Sequence, residues 1–158
     1  MMNMILYAAF KYSLGRTSYC VFEMSQILRK YHTLLAATTR SQMVLDIDAA
    51  ERGHNLGHEC DVRDWKMVRE LLGSPPQTQQ TAQEVGQEEL ESLFIYATRY
   101  FLRVNDVNPE LMAFVTTNKS IIPHPLRSLV MKEVSEHIVL CGAVKWSILV
   151  NELRDRVL

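Results

Sequence analysis

Apolar side chains recur at intervals of three and four residues along most of this chain. One such stripe consists of Val21, Met24, Ile27, Leu28 and Tyr31. This spacing places side chains on one face of an α-helix, whereas a half-buried strand alternates apolar and polar residues. No segment of the sequence sustains that alternation. The sequence therefore predicts an all-α protein.

Capping residues, glycines and prolines divide the apolar pattern into eight predicted helices, four in each half of the chain. In the first half, the predicted helices cover residues 2–14, begin at Ser18, run from Thr39 or Ser41 to Gly53, and run from Asp61 to Gly73. In the second half, they cover residues 88–103 and 109–118, follow Pro125, and follow Gly142. The helix after Pro125 has a stripe that is expected to face the core, formed by Leu126, Leu129, Val130, Val134, His137 and Ile138.

A polar connector separates the two halves. Residues 73–87 contain five glutamines, two prolines and two glycines with almost no apolar side chains, which is typical of a solvated linker. We expect a first four-helix unit over residues 1–72 and a second over residues 88–158.

The two halves also share side chains in the same order along the chain. Matching residues are 88 positions apart in the first and fifth helices, 87 apart in the third and seventh, and 81 apart in the fourth and eighth. The most telling pairs are Lys11 with Arg99, Tyr12 with Tyr100, Arg40 with Arg127, Cys60 with Cys141 and Trp65 with Trp146. Helical bundles can share apolar stripes by chance, but paired tryptophans and cysteines favour a duplication. We expect a tandem duplication whose halves pack about a pseudo-twofold axis.

Length and charge limit the classes of function. A chain of 158 residues can bury a core without a metal or a disulfide. Its 17 basic and 18 acidic residues nearly balance, so the whole chain offers no attraction for a polyanion. The three cysteines cannot pair completely, the N-terminus lacks a signal-peptide pattern, and Lys11 interrupts the first apolar stretch. We expect a cytoplasmic protein with reduced thiols and no membrane span.

One segment, residues 53–61, contains residue types that bind metals. Its His54, His58 and Cys60 could bind zinc, but two glycines in the segment favour a loop, in which the histidines would not share a face. Because Cys60 has a counterpart in Cys141, a small buried side chain at the start of the fourth helix is the favoured interpretation. A metal site is the alternative.

The sequence contains no pattern typical of catalysis or of cofactor binding. It has no phosphate-binding loop, no dinucleotide fingerprint and no nucleophile elbow. Carboxylates such as Asp46 and Asp48 fall on polar helix faces, where a solvated surface is the usual interpretation. We expect that the protein is not an enzyme and needs no cofactor.

Recognition of another macromolecule is the class of function that remains. Nucleic-acid binding would require basic side chains to converge, and Asp61 and Asp64 at the start of the fourth helix would repel phosphates. Protein binding is therefore favoured over a helical nucleic-acid-binding or transcription-regulating protein. The candidate partner contacts are Lys11, Arg16, Thr17, Arg40, Arg99 and Arg103.

Two short motifs carry a resemblance to a known group of proteins. Residues 12–19 read Tyr-Ser-Leu-Gly-Arg-Thr-Ser-Tyr, and residues 60–65 read Cys-Asp-Val-Arg-Asp-Trp. The first 72 residues thus resemble small bacteriophage accessory proteins with a Tyr-Ala-Leu-Gly-Arg-x-Thr-Tyr motif and a downstream Cys-Asp-x-x-x-Trp. Ser13 stands where the motif has alanine, and the second half has Arg103-Val104-Asn105 in place of the Gly-Arg-x-Thr portion.

The resemblance implies a phage protein that acts in the cytoplasm of the bacterial host. Such a protein would bind a host defence or regulatory protein and cover its functional site without catalysis. The Gly15-Arg16-Thr17 turn is the first candidate contact, because a turn that contains glycine can project an arginine outward.

Overall fold

The structure is a computed structural model that describes residues 2–14, 18–53, 59–73, 86–104, 109–118 and 124–141, together with Ser147, Val150 and Asn151. The described residues form helices and no strand, which confirms the all-α prediction. The helices are α1 (Met2–Ser13), α2 (Ser18–Tyr31), α3 (Ala37–Arg52), α4 (Glu59–Gly73), α5 (Gln87–Val104), α6 (Pro109–Asn118) and α7 (His124–Cys141), with a short 3₁₀ helix over His32–Leu34. No helix within these ranges is long and apolar enough to cross a membrane.

Most predicted helix boundaries agree with the structure. The helix predicted over 109–118 is α6, α2 begins at the predicted Ser18, and α3 ends at Arg52 just before the predicted Gly53. The last predicted helix falls mostly outside the described residues, although Ser147, Val150 and Asn151 are helical.

One hydrophobic core joins both halves of the chain, and α1 lies at its centre. On α1, Ile5, Leu6 and Phe10 are fully buried, and this helix packs against α5, α2, α3 and α6. The buried Trp65 of α4 contacts Phe10 edge-on, with ring centroids 5.3 Å apart. The predicted inward stripe of α2 is confirmed, because every member of it is buried.

The start of α3 differs from the prediction of Thr39 or Ser41. The helix begins at Ala37, and its N-cap residue Ala36 has no side chain that could cap it. Instead, Asn3 of α1 accepts a hydrogen bond from the Ala36 backbone N–H at 2.8 Å, and its amide donates to the Thr39 hydroxyl at 2.9 Å. The cap thus comes from another helix, and it satisfies an N–H that would otherwise lack a partner.

Two further predictions from the helical pattern are wrong. The fourth helix begins at Glu59, so Asp61 does not cap it but lies buried in its first turn. Leu129, which the apolar pattern of the seventh helix placed in the core, is 42% exposed, whereas its neighbour Val130 is buried. The buried stripe of α7 is therefore narrower than its apolar sequence, since only one side of the helix meets the core.

Arg40 is buried and connects three elements through its guanidinium group. It is 6% exposed, and it donates hydrogen bonds to the carbonyl of His32 at 2.6 Å and to the carbonyl of Leu71 at 3.0 Å. The same group lies 3.0 Å from Nδ1 of His32. A guanidinium can only donate, so Nδ1 of His32 accepts and the imidazole is neutral. Arg40 thereby ties the ends of α2 and α4 to the start of α3.

We expect Arg40→Met to destabilise the protein, because it leaves two carbonyl groups without their donor. The expected loss in the free energy of unfolding is about 2–3 kcal/mol, measured by urea denaturation. Arg69→Met is the matched control. Arg69 also donates two hydrogen bonds, but to the carboxylate of Asp48 on the exposed surface, at 2.6 and 3.2 Å, and a much smaller loss is expected there. Equal losses in the two variants would contradict the structural role of Arg40.

His32 is expected to make stability depend on pH. Burial, followed by the charge of Arg40, lowers the pKa of His32 below its ordinary value of 6.5. The unfolded chain therefore binds this proton more readily than the folded chain, so the free energy of unfolding falls as the pH drops below about 6.5. His32→Asn keeps an acceptor and cannot titrate, so its loss of stability between about pH 7.5 and pH 5.5 should be smaller than that of the wild type. An identical loss in both proteins would refute this assignment.

Candidate functional site

The candidate partner contacts from the sequence lie in different environments. Lys11 is half-buried and forms an ion pair with Asp46 at 3.7 Å. The guanidinium of Arg99 lies 5.9 Å from the centre of the Tyr12 ring, and Arg103 is exposed near the end of α5. Lys11 and Arg99 are thus each engaged with a neighbouring helix.

Arg40 was predicted to contact a partner, and the structure places it inside the protein instead. Its burial and its internal hydrogen bonds give it a structural role, as described above. Arg16 and Thr17, together with the turn at Gly15, lie outside the described residues. Of the six candidates, Arg103 is the one for which the structure describes an exposed side chain.

The predicted metal-binding segment lies largely outside the described part of the chain. This applies to His54 and His58, while Cys60 falls in α4 with no description of its side chain. Among the residues that are described, no group of three histidine, cysteine, aspartate or glutamate side chains is placed to hold a metal ion. The choice between a core cysteine and a metal ligand therefore stays a prediction.

A groove lies on the surface between α2, the start of α5 and the end of α4. We call it the α2–α5 groove. Its volume is about 770 Å³. It is lined by Tyr19, Phe22, Glu23, Gln26, Ile27, Arg29, Lys30, Leu71, Glu88, Glu89 and Ser92. A smaller cavity of about 290 Å³ continues from it along α5 to Tyr96 and Arg99.

Two aromatic side chains project from α2 beside this groove. Tyr19 is 72% exposed and Phe22 is 58% exposed. They lie three residues apart, so they occupy one face of the helix, while Val21, Met24 and Leu28 face the core. Both aromatics are therefore accessible to a partner.

Two interactions fix the shape of the groove where α2 ends and α5 begins. The Gly86 backbone N–H donates to the Tyr31 hydroxyl at 3.1 Å, and Lys30 donates to Glu89 at 3.0 Å. The hydrogen bond to Glu89, as the largest cause, raises the pKa of Lys30. The second Glu89 oxygen is buried with no hydrogen-bond partner among the described residues. These contacts within the chain preform this end of the groove.

The other wall of the groove is held by Tyr96 of α5. Its hydroxyl donates to Glu23 of α2 at 3.0 Å, and its ring stacks on Tyr12 with centroids 5.5 Å apart. Burial is the largest cause of the raised pKa of Tyr96, and its contacts with Cys20 and Glu23 raise it further. The hydroxyl therefore stays protonated and continues to donate at neutral pH. Each wall is thus tied to the other helix.

The groove offers exposed aromatic area, an apolar floor and a charged rim. Ile27 and Leu71 supply apolar atoms between the two helices. This combination of a hydrophobic centre and a polar edge is typical of a surface that binds another protein.

The exposed aromatic face of α2 is visible in the sequence, although no predicted contact lies on it. Tyr19, Phe22 and Gln26 follow one another at intervals of three and four residues, parallel to the core stripe of α2. A second face with two aromatics is unusual on a solvated helix side. The contacts predicted from the sequence were instead mostly basic residues on other parts of the chain.

Comparisons with protein families, with curated proteins and with solved structures found no match to this chain.

Proposed function

We propose that this protein is a non-catalytic helical module that binds another protein through the α2–α5 groove. The observation that carries the proposal is the exposure of Tyr19 and Phe22, 72% and 58%, beside a groove with an apolar floor. Aromatic residues dominate the binding energy of many protein interfaces, because each buries a large apolar area at a small cost in side-chain entropy. Binding at the α2–α5 groove would cover the functional site of the partner and thereby block it.

The resemblance to phage accessory proteins supports the same site and suggests the kind of partner. The first motif of that resemblance ends at Tyr19, which is the more exposed of the two aromatics. The last residue of the downstream motif, Trp65, is fully buried in the core. We therefore assign the downstream motif to folding and the end of the first motif to binding. The proposed partner is a host defence or regulatory protein in the bacterial cytoplasm.

Nucleic-acid binding is the alternative, and the placement of charge favours it less. Lys11 is paired with Asp46, and Arg40 is buried. The α2–α5 groove carries three carboxylates, Glu23, Glu88 and Glu89, beside its two basic residues. A phosphate backbone would meet repulsion along this surface.

We infer that the chain arose by tandem duplication and that its halves are related by a pseudo-twofold axis. The strongest support is the pattern of exposure in α1 and α5. Residues 3–13 and 91–101, which are 88 positions apart, follow the same order of buried and half-buried residues at all eleven positions. In α3 and α7, the buried residues Arg40, Met43 and Ile47 match buried Arg127, Val130 and Val134 at a separation of 87. Buried arginines are rare enough that a matched pair is informative.

The contacts between α1 and α5 also suit a twofold axis. Tyr12, late in α1, stacks on Tyr96, and Tyr100, later in α5, is close enough to Tyr7 to help raise its pKa, after burial and Asp46. The two matched helices are therefore antiparallel, which is the arrangement that a twofold axis perpendicular to both helices produces. The fourth and eighth helices lack comparable support, because Val150 is buried and its counterpart Arg69 is exposed.

An experimental structure of the whole chain would test the duplication. Superposing α1 and α3 on α5 and α7 should require a rotation of about 180°. The same rotation should then place Trp65 on Trp146. A rotation far from that value would contradict the pseudo-twofold axis, and a misplaced tryptophan would restrict the repeat to the three earlier helices.

The binding proposal is tested by capturing proteins from a bacterial lysate in moderate salt. The bait proteins are the wild type, Phe22→Ser and Leu45→Ser. Leu45 is a matched control, because it is 59% exposed, nearly the same as Phe22, but lies on α3. We expect one protein to be retained by the wild type and by Leu45→Ser, and to be lost from Phe22→Ser.

Urea denaturation should show that both substitutions change the free energy of unfolding by less than about 0.5 kcal/mol, since both side chains lie on the surface. Retention of the same partner by Phe22→Ser would place the binding site elsewhere. A gel shift with duplex DNA that weakens steeply with salt, and no captured protein, would favour the alternative function.

A further inference from the structure

The α2–α5 groove runs between two antiparallel helices that side-chain contacts join, Lys30 with Glu89 and Glu23 with Tyr96. Its lining on α2 extends from Tyr19 to Lys30, and α2 is 14 residues long, which corresponds to about 21 Å. A partner that lies along such a groove contacts helices whose backbone groups are already paired within their own turns. A strand would find no sheet edge to extend there, whereas a helix pairs its own backbone groups and contributes only side chains.

The charge on the rim then limits the partner further. Lys30 is neutralised by Glu89, with which it forms an ion pair at 3.0 Å. The charges that remain at the groove and its smaller extension are the carboxylates of Glu23, Glu88 and Glu91 and the guanidinium groups of Arg29 and Arg99. Arg99 lies over the Tyr12 ring, which does not cancel its charge. Glu23 accepts its hydrogen bond from a neutral phenol, so that bond does not cancel its charge. Three carboxylates against two guanidinium groups leave the rim with an acidic surplus of one charge.

Helix dipoles do not remove this surplus. The end of α2 lies beside the start of α5, as the hydrogen bond between Tyr31 and Gly86 shows. The negative end of one dipole therefore lies beside the positive end of the other, and their fields largely cancel at that end of the groove.

We propose that the occupant of the α2–α5 groove is a basic amphipathic helix of the partner protein. Its apolar face would cover Tyr19, Phe22 and Ile27, and its flanking lysines or arginines would lie against Glu88 and Glu91. This inference rests on the proposed protein-binding function and adds the chemistry of the bound segment. Complementary charge at the rim selects the partner and accelerates association, while the aromatics supply most of the affinity.

Two labelled synthetic peptides test the proposal by fluorescence anisotropy with the full chain. Each is an amphipathic helix of about 18 residues with the same leucine face, and the flanks carry lysine in one peptide and glutamate in the other. At about 50 mM salt, we expect the basic peptide to bind at least about tenfold more tightly, and the difference to shrink as salt is raised. Equal binding, or tighter binding of the acidic peptide, would overturn the inference.

Protein variants locate the site. The double variant Glu88→Lys/Glu91→Lys should abolish or reverse the preference for the basic peptide, while Glu136→Lys, an exposed carboxylate on α7, should leave it unchanged. Phe22→Ser should weaken the binding of both peptides, and Leu45→Ser should not. If the basic peptide binds all of these variants alike, it binds outside the groove and the inference fails.

The outcomes separate this inference from the function on which it rests. If capture from lysate depends on Phe22 but the basic peptide shows no preference, the protein-binding function stands and the basic helix is wrong. If no lysate protein depends on Phe22, the proposed function itself fails, whatever the peptides do.

Discussion

The packing of α1 against α5 is the contact on which the rest of the fold depends. α1 has apolar residues around most of its circumference, which is typical of a helix that is surrounded by others rather than lying on a surface. The buried alanines Ala8, Ala9 and Ala97 keep these two helices close, and Phe10 reaches Trp65 of α4. Polar side chains of α1 then set its other neighbours, since Asn3 caps α3 and Tyr7 donates to Asp46 at 2.8 Å. The two halves thus share one core.

The α2–α5 groove follows from this arrangement. Because α5 is fixed along α1, its first turn meets the end of α2, where Tyr31 and Lys30 hold Gly86 and Glu89. Tyr96 then closes the other end on Glu23. The groove therefore combines elements from both halves of the chain, and neither half forms it alone. A change that loosens α1 from α5 would also deform the groove.

The helices were predictable because the spacing of apolar residues along the sequence follows the buried face of each helix. The wrong predictions concern positions whose environment is set by residues distant in sequence. Local sequence favoured Thr39 or Ser41 as the start of α3, but the cap is Asn3, which is distant in sequence. Leu129 was placed in the core because periodicity does not show how wide a face the neighbouring helices cover. The candidate site was harder still. Exposed basic residues were favoured as contacts, yet whether an arginine lies on the surface, like Arg103, or inside, like Arg40, depends on tertiary packing.

The inferred duplication also explains why one chain would have one binding face of this kind. At the separation of 87 that relates α3 to α7, α2 and α6 end at matching residues, Tyr31 and Asn118. At the same separation, Tyr19 and Phe22 correspond to Asp106 and Pro109, neither of which is aromatic. The surface related to the α2–α5 groove lies between α6 and α1, and it has no equivalent of the aromatic pair. A duplicated helical scaffold would then retain its core in both halves while only one half keeps the residues that bind.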